Sequence, residues 1–317
     1  MFRIEFFARL ILTIGGWAVF FASVVSAQAT QYRAPRDSDG ELRWQFKKGQ
    51  VLRMLSDQTV SMSMELENRP MKTVNQSINE MTLTIDDVDG EGIAKAAATI
   101  VRMTMNLEAN GQRFSFDSAD EADQVFGPMK EISKMIRPMI GKKMTQDMSP
   151  TGKISNVNVP EEMLPANDNP MIAAMLNKKN LEEMSTRGSM EFPKPKLELG
   201  HTWQVKADLD MGMMKVAMKT DYTYLGVKEG PDGPLHVFEG KISMSFPQGA
   251  AGANVDIVHE NSTGTFVFDG VRGLMRSSEL HQDMALKIFA GGQTMQQQVL
   301  QTMQVSFSDI TSEDAEN

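Results

Sequence analysis

The sequence predicts an α+β fold: one or two curved antiparallel β-sheets built from two similar halves, with a helical insertion packed on the sheet. Three observations lead there. Apolar and polar residues alternate with a period of two along both flanks of the chain, the pattern of strands with one buried face. Between the flanks, apolar residues recur at helical spacing. Asx-Gly pairs stand between the alternating runs, as hairpin turns require.

Taken in order, residues 1–29 read as a cleavable secretory signal. Arg3 and Arg9 form a basic start, 10–25 an apolar run, and Ser26-Ala27-Gln28-Ala29 a small-residue cleavage site. Cleavage is expected after Ala29, with Ala27 the alternative. The run is shorter than the ~20 residues of a spanning helix, and Gly15-Gly16 interrupts it. The expected location is periplasmic or secreted, with no transmembrane segment in the mature chain. The chain has no Cys, so neither a lipidated cysteine nor a disulfide framework is available.

Residues 30–41 are polar and read as a disordered lead-in. A first β-rich half is expected over 42–117. Val60, Met62, Met64 and Leu66 alternate with polar residues, as do Met81, Leu83 and Ile85, and then Met103, Met105 and Leu107. Asp89-Gly90 and Asn110-Gly111 supply the turns.

A helical segment with a short strand or turn is expected over 118–190. Val125, Met129, Ile132, Met135, Ile136, Met139 and Ile140 form one stripe, with Ser118 as a capped start and Gly141 as a stop. Pro138 should kink or end the last turn. A second helix is expected to begin near Asn169-Pro170.

The second β-rich half covers 191–310. Its strand markers include Met214, Val216 and Met218, then Ile242, Met244 and Phe246, then Met284, Leu286 and Ile288, then Met303, Val305 and Phe307. Residues 311–317 form an acidic tail. Landmarks repeat between the halves: Asp89-Gly90 has a counterpart in Asp232-Gly233, and Phe114-Ser115-Phe116-Asp117 in Phe266-Val267-Phe268-Asp269.

Charge and composition exclude several functions. Without Arg3, Arg9 and Glu5 the mature chain holds 30 basic and 40 acidic residues, a net of −10. Phosphate neutralisation needs clustered cations, so nucleic acid is not an expected partner. His201, His236, His259 and His281 are dispersed, without metal-ligand spacing. There is no nucleophile elbow and no phosphate-cradling glycine loop. No catalytic, cofactor-binding or metal residue is nominated, and the chain is read as a non-enzyme.

The anomaly is 27 Met. Methionine is flexible and polarizable and lines adaptable apolar surfaces. Met62, Met64, Met103, Met105 and Met244 are the candidate lining of an apolar-ligand or lipid site. A structural or protein-interaction module of the cell envelope is the alternative. Cu(I) held by Met pairs such as Met62 with Met64 is a third reading, because Cu(I) takes soft thioether ligands.

Three short motifs carry a family resemblance: Phe46-Lys47-Lys48-Gly49, Ser149-Pro150-Thr151-Gly152-Lys153-Ile154 and Leu199-Gly200-His201-Thr202-Trp203. The chain resembles an uncharacterised family of exported β-rich proteins common in planctomycete-type bacteria, a domain of unknown function with no assigned activity. The resemblance implies a fold and an exported setting and no catalytic residues. A more distant, fold-level analogy is to periplasmic lipoprotein carriers and related lipid-binding lipoproteins. The absence of Cys separates this chain from the lipid-anchored members.

Overall fold

The computed structural model describes residues 32–66, 69–121, 127, 129–164, 177–187, 190–210, 215–247, 254–290 and 293–310. The strands are β1 (Val51–Leu66), β2 (Arg69–Val88), β3 (Ala94–Ala109), β4 (Gln112–Asp117), β5 (Lys143–Met148), β6 (Ile154–Asn158), β7 (Thr202–Asp210), β8 (Lys215–Gly230), β9 (Gly233–Ser245), β10 (Asn254–Asp269), β11 (Leu274–Ala290) and β12 (Gln293–Ile310). The helices are α1 (Met129–Ile136) and α2 (Lys178–Arg187).

The strands form a single antiparallel sheet in the order β6-β5-β3-β2-β1-β12-β11-β10-β9-β8-β7, with β4 pairing the second half of β3. β1 and β12 meet in the middle over most of their length, from Val51 against Ile310 to Glu65 against Gln296. The molecule is therefore mostly β, and the expected α+β class is corrected. The helical stripe is cut short at both ends. Gly127 has a φ of 61°, which cannot continue a right-handed helix, and α1 starts only at Met129. Pro138 ends α1, and Arg137–Met139 form a 3-10 turn around it. The rest of the expected helical segment supplies β5 and β6, which extend the sheet beyond β3, and then α2, a helix as expected within 118–190. The proposed start at Asn169-Pro170 lies outside the described residues.

Turn chemistry places the hairpins. Asn110 and Gly111 have φ of 50° and 80°, the paired left-handed conformation of a two-residue hairpin turn. At the β2–β3 turn, the Asp89 carboxylate accepts hydrogen bonds from the Glu91 and Ile93 amides.

Along β1, β12 and most of β11 alternate residues are buried, and the sheet curves around them. The main core gathers Leu52 of β1, Ile85 of β2, Met148 of β5 and Ile154 of β6 with Tyr224 of β8, Phe238 of β9 and Phe268 of β10. Strands near opposite ends of the sheet order thus share one core. Two irregular segments fill the space between them: Leu42, Trp44 and Phe46 from the first, and Met190, Phe192 and Leu197 from the second. Trp44 meets Phe268 edge-on with centroids 5.5 Å apart, and Phe192 meets the same ring at 4.8 Å, a preferred aromatic geometry. Helix α2 packs against both edge strands, β6 and β7.

Candidate ligand-binding face

Parity along the strands shows what the curved face is made of. In β1 the inward residues are Leu52, Met54, Ser56, Gln58, Val60, Met62 and Met64. In β12 they are Met295, Gln297, Val299, Gln301, Met303, Val305 and Phe307. In both strands apolar residues at the two ends flank a stretch that includes polar ones. One apolar end belongs to the filled core. The other, toward the β1–β2 hairpin, is called here the distal half.

The polar residues register into a band across five strands. Ser262 of β10 stands opposite Gln282 of β11, and Gln282 opposite Gln301 of β12. Gln301 faces Val60 of β1, and Val60 faces Asn75 of β2. One row nearer the filled core, Gln58 pairs with Ser77, and beyond it Ser56 pairs with Asn79. Ser77 Oγ donates to Gln58 Oε1 at 3.4 Å. Six buried atoms of this region lack a partner among the described residues: Gln58 Nε2, Asn75 Oδ1, Asn79 Oδ1, Ser262 Oγ, Ser278 Oγ and Gln301 Nε2. Left unsatisfied, each would cost about 1–3 kcal/mol. Together that rivals the whole stability of a domain, about 5–15 kcal/mol. Water or a bound molecule would satisfy them.

Beyond the band the distal half is apolar but divided. Val60, Met62, Met64 and Val299 form one cluster with Met71 beside it. Met284, Leu286, Ile288 and Met295 form another with Met244, Phe246, Val255 and Ile257. Gln297 lies between them in the register, opposite Met64 and Leu286, and donates to Met62 Sδ at 3.5 Å. Glu260 is the charged residue at an inward position of this half of β10. Its carboxylate accepts the Met244 amide at 2.9 Å, and burial raises its pKa.

The structure does not bring the five nominated methionines into one site. Met62, Met64 and Met244 lie in the distal half, in two clusters. Met103 and Met105 lie on the same sheet face but pack with Phe116 against Met129, Ile132 and Ile136 of α1. The polar band was missed in the sequence. Its signal was parity: Ser56 and Gln58 share the parity of Leu52, Met54, Val60 and Met62, so all must face one way.

A second buried polar group lies at the opposite end. His236 Nε2 is 3.1 Å from the Asp39 carbonyl, and Nδ1 is 2.7 Å from the Tyr224 hydroxyl. A carbonyl only accepts, so Nε2 carries the proton and Nδ1 accepts from Tyr224. Both ring nitrogens are thus occupied. The Asp39 carboxylate is bound by Arg33, which also reaches Glu229. Arg33 exchanges two backbone hydrogen bonds with Val227 as well. The arrangement latches the N-terminal arm to β8 and β9. A cavity of about 60 Å³ adjoins it, lined by Arg36, Leu42, Pro195, Tyr224 and His236 among others. Among the described residues, no group of three or more His, Asp and Glu could hold a metal ion, and no helix is long and apolar enough to cross a membrane.

Residues 91–231, from the β2–β3 turn to the end of β8, match the model of a family of unknown function (DUF6263). No curated protein matches the chain. Among solved structures, a lipovitellin chain described in terms of lipid–protein interactions is similar over 83% of this chain, at 11% identity and a TM-score of 0.43. This chain spans 25% of the length of that one. OccK7 of Pseudomonas aeruginosa matches over 84% of this chain and 100% of its own, at 6% identity and a TM-score of 0.27. An outer membrane channel of Pseudomonas putida F1 matches over 90% of this chain and 100% of its own, at 8% and 0.21. At these scores the similarity carries no conclusion about fold or function.

Proposed function

We propose that the chain is an exported, non-enzymatic binding protein that holds an apolar ligand or lipid against the distal half of its curved sheet. The observation that carries this reading is the division of the buried face. One half is filled by the protein's own aromatic segments. The other is lined by separate methionine-rich clusters and bounded by polar atoms that need partners. Ligand sites are concave and mostly apolar with a few convergent polar groups, and methionine suits a lining that must adapt to its occupant. The basic start, apolar run and small-residue site of residues 1–29 support export.

Protein recovered from the envelope fraction, with its N-terminus at Thr30 or Gln28, would be titrated with an apolar fluorescent probe. Saturable binding is expected. Met64→Ala should change the probe affinity while lowering stability by less than the roughly 2–5 kcal/mol of a filled-core truncation. Met105→Ala, beneath α1, should lower stability and leave the affinity unchanged. Retention of Met1 would contradict export. Absence of saturable binding, with a full core-sized loss for Met64→Ala, would contradict the ligand site.

A further inference from the structure

From the polar band we infer that the ligand is a neutral amphiphile: an uncharged, hydrogen-bonding head held at Gln58 and Gln301 on the adjacent strands β1 and β12, with its apolar chain running along Met62, Met64 and the distal clusters and with water at the outlying Asn75 and Ser262. This rests on the reading of the distal half as a ligand site and adds the head-group chemistry.

The first step is position. The band lies between the filled core and the apolar distal clusters, where the boundary between the head and chain of an amphiphile would fall. Its residues are buried, with Gln58 2%, Gln301 4%, Ser262 4% and Asn75 8% exposed. Each carries an atom without a protein partner. A polar side chain enclosed to this degree is costly unless something hydrogen-bonds to it, and an apolar ligand alone would leave the cost standing.

The second step is charge. The band consists of amides and hydroxyls, which donate and accept whichever way the amides are turned. A carboxylate or phosphate head would call for Lys or Arg at short range. The inward positions registered into the band carry none. A charged group beside the band is Glu260, opposite Met284 and two residues from Ser262. It would repel an anion. Arg137, after α1, donates to Ser133 Oγ and the Ser118 carbonyl and lies over the Phe116 ring; its Nη2 is buried without a partner among the described residues, but it stands on the 3-10 turn after α1 and not on the five strands that carry the band. Mixed donors and acceptors without a cation suit an ester, hydroxyl or amide head.

The test compares three C18 ligands on the intact mature protein near neutral pH: monoolein, oleate and octadecene, each displacing the apolar probe. Monoolein should bind at least about tenfold more tightly than either of the others. The double variant Gln58→Leu/Gln301→Leu removes two unpartnered donors while keeping apolar volume, so its fold should be retained, as circular dichroism and thermal melting would report. It should lose the monoolein preference and keep octadecene binding. Equal affinities, an oleate preference, or a monoolein preference that survives in the double variant would overturn the head-group assignment and leave the apolar site standing. The band would then be occupied by water. If none of the three displaced the probe from the wild-type protein, the ligand site itself would be refuted as well.

Discussion

Burial disfavours the charged form of His236, outweighing the opposing pull of the Asp39 carbonyl and carboxylate. Its pKa is lowered from the ordinary 6.5. The unfolded chain therefore takes up a proton at its His236 as pH falls through 6.5, while the folded chain takes it up only at lower pH. Stability is expected to be full above that pH and to decline progressively below it. Asp39 acts lower on the scale. The Arg33 hydrogen bond holds its pKa below 3.8, so its contribution is present above 3.8 and fades as pH falls further. Thermal midpoints measured from pH 8 to pH 5 should fall, and His236→Gln should flatten that decline at some cost in absolute stability. A decline of the same slope in His236→Gln would assign it to another group. At this scale the sequence was partly legible. Methionine at the inward positions of β1 and β9 could be read from alternation. The band could not, because Ser56, Gln58 and Asn75 look like surface residues until the parity of a whole strand is followed, and a buried polar group runs against the usual hydrophobic rule.

Among elements, turns and long strands were the most legible. Asn110-Gly111 has one common use, and β1, β3 and β12 alternate clearly. The short strands β5 and β6 fall within the segment read as helical with a short strand or turn, and their bounds were not legible. In β5 a buried position is Gln146, satisfied by the Ser185 hydroxyl of α2 at 2.7 Å, so its alternation is masked. The segment Ser149-Pro150-Thr151-Gly152-Lys153-Ile154, noticed as a motif, is the β5–β6 turn. Gly152 has a φ of 92°, and a Cβ there would lie 2.3 Å from the Met190 carbonyl oxygen and 2.5 Å from Trp44 Nε1. Both neighbours belong to the two segments that fill the core. Gly152→Ala is therefore expected to lower stability by on the order of 2–4 kcal/mol, read from urea unfolding. Gly111→Ala, whose Cβ would meet nothing within 4 Å, should cost less, through its positive φ alone. Equal costs at the two glycines would show that the close approach to Trp44 and Met190 does not constrain the fold.

For the whole molecule, the sequence gives strands and facing but not closure. The β1–β12 pairing joins residues some 250 positions apart, and no local pattern encodes it. Nor does one encode the bridging of edge strands β6 and β7 by α2. These follow from how a long sheet buries one face by curving on itself, with residues 42–46 and 190–197 as filling. That filling reaches only half the face, and the other half is where the proposed ligand belongs. Its many methionines make it directly observable. In protein carrying ¹³C-methyl methionine, monoolein titration should shift the methyl signals of Met62, Met64, Met244, Met284 and Met295, and leave those of Met129 under the sheet and Met190 in the filled core in place. Shifts confined to methionines outside the distal half, or no saturable shift at any methionine, would contradict a ligand site on this face.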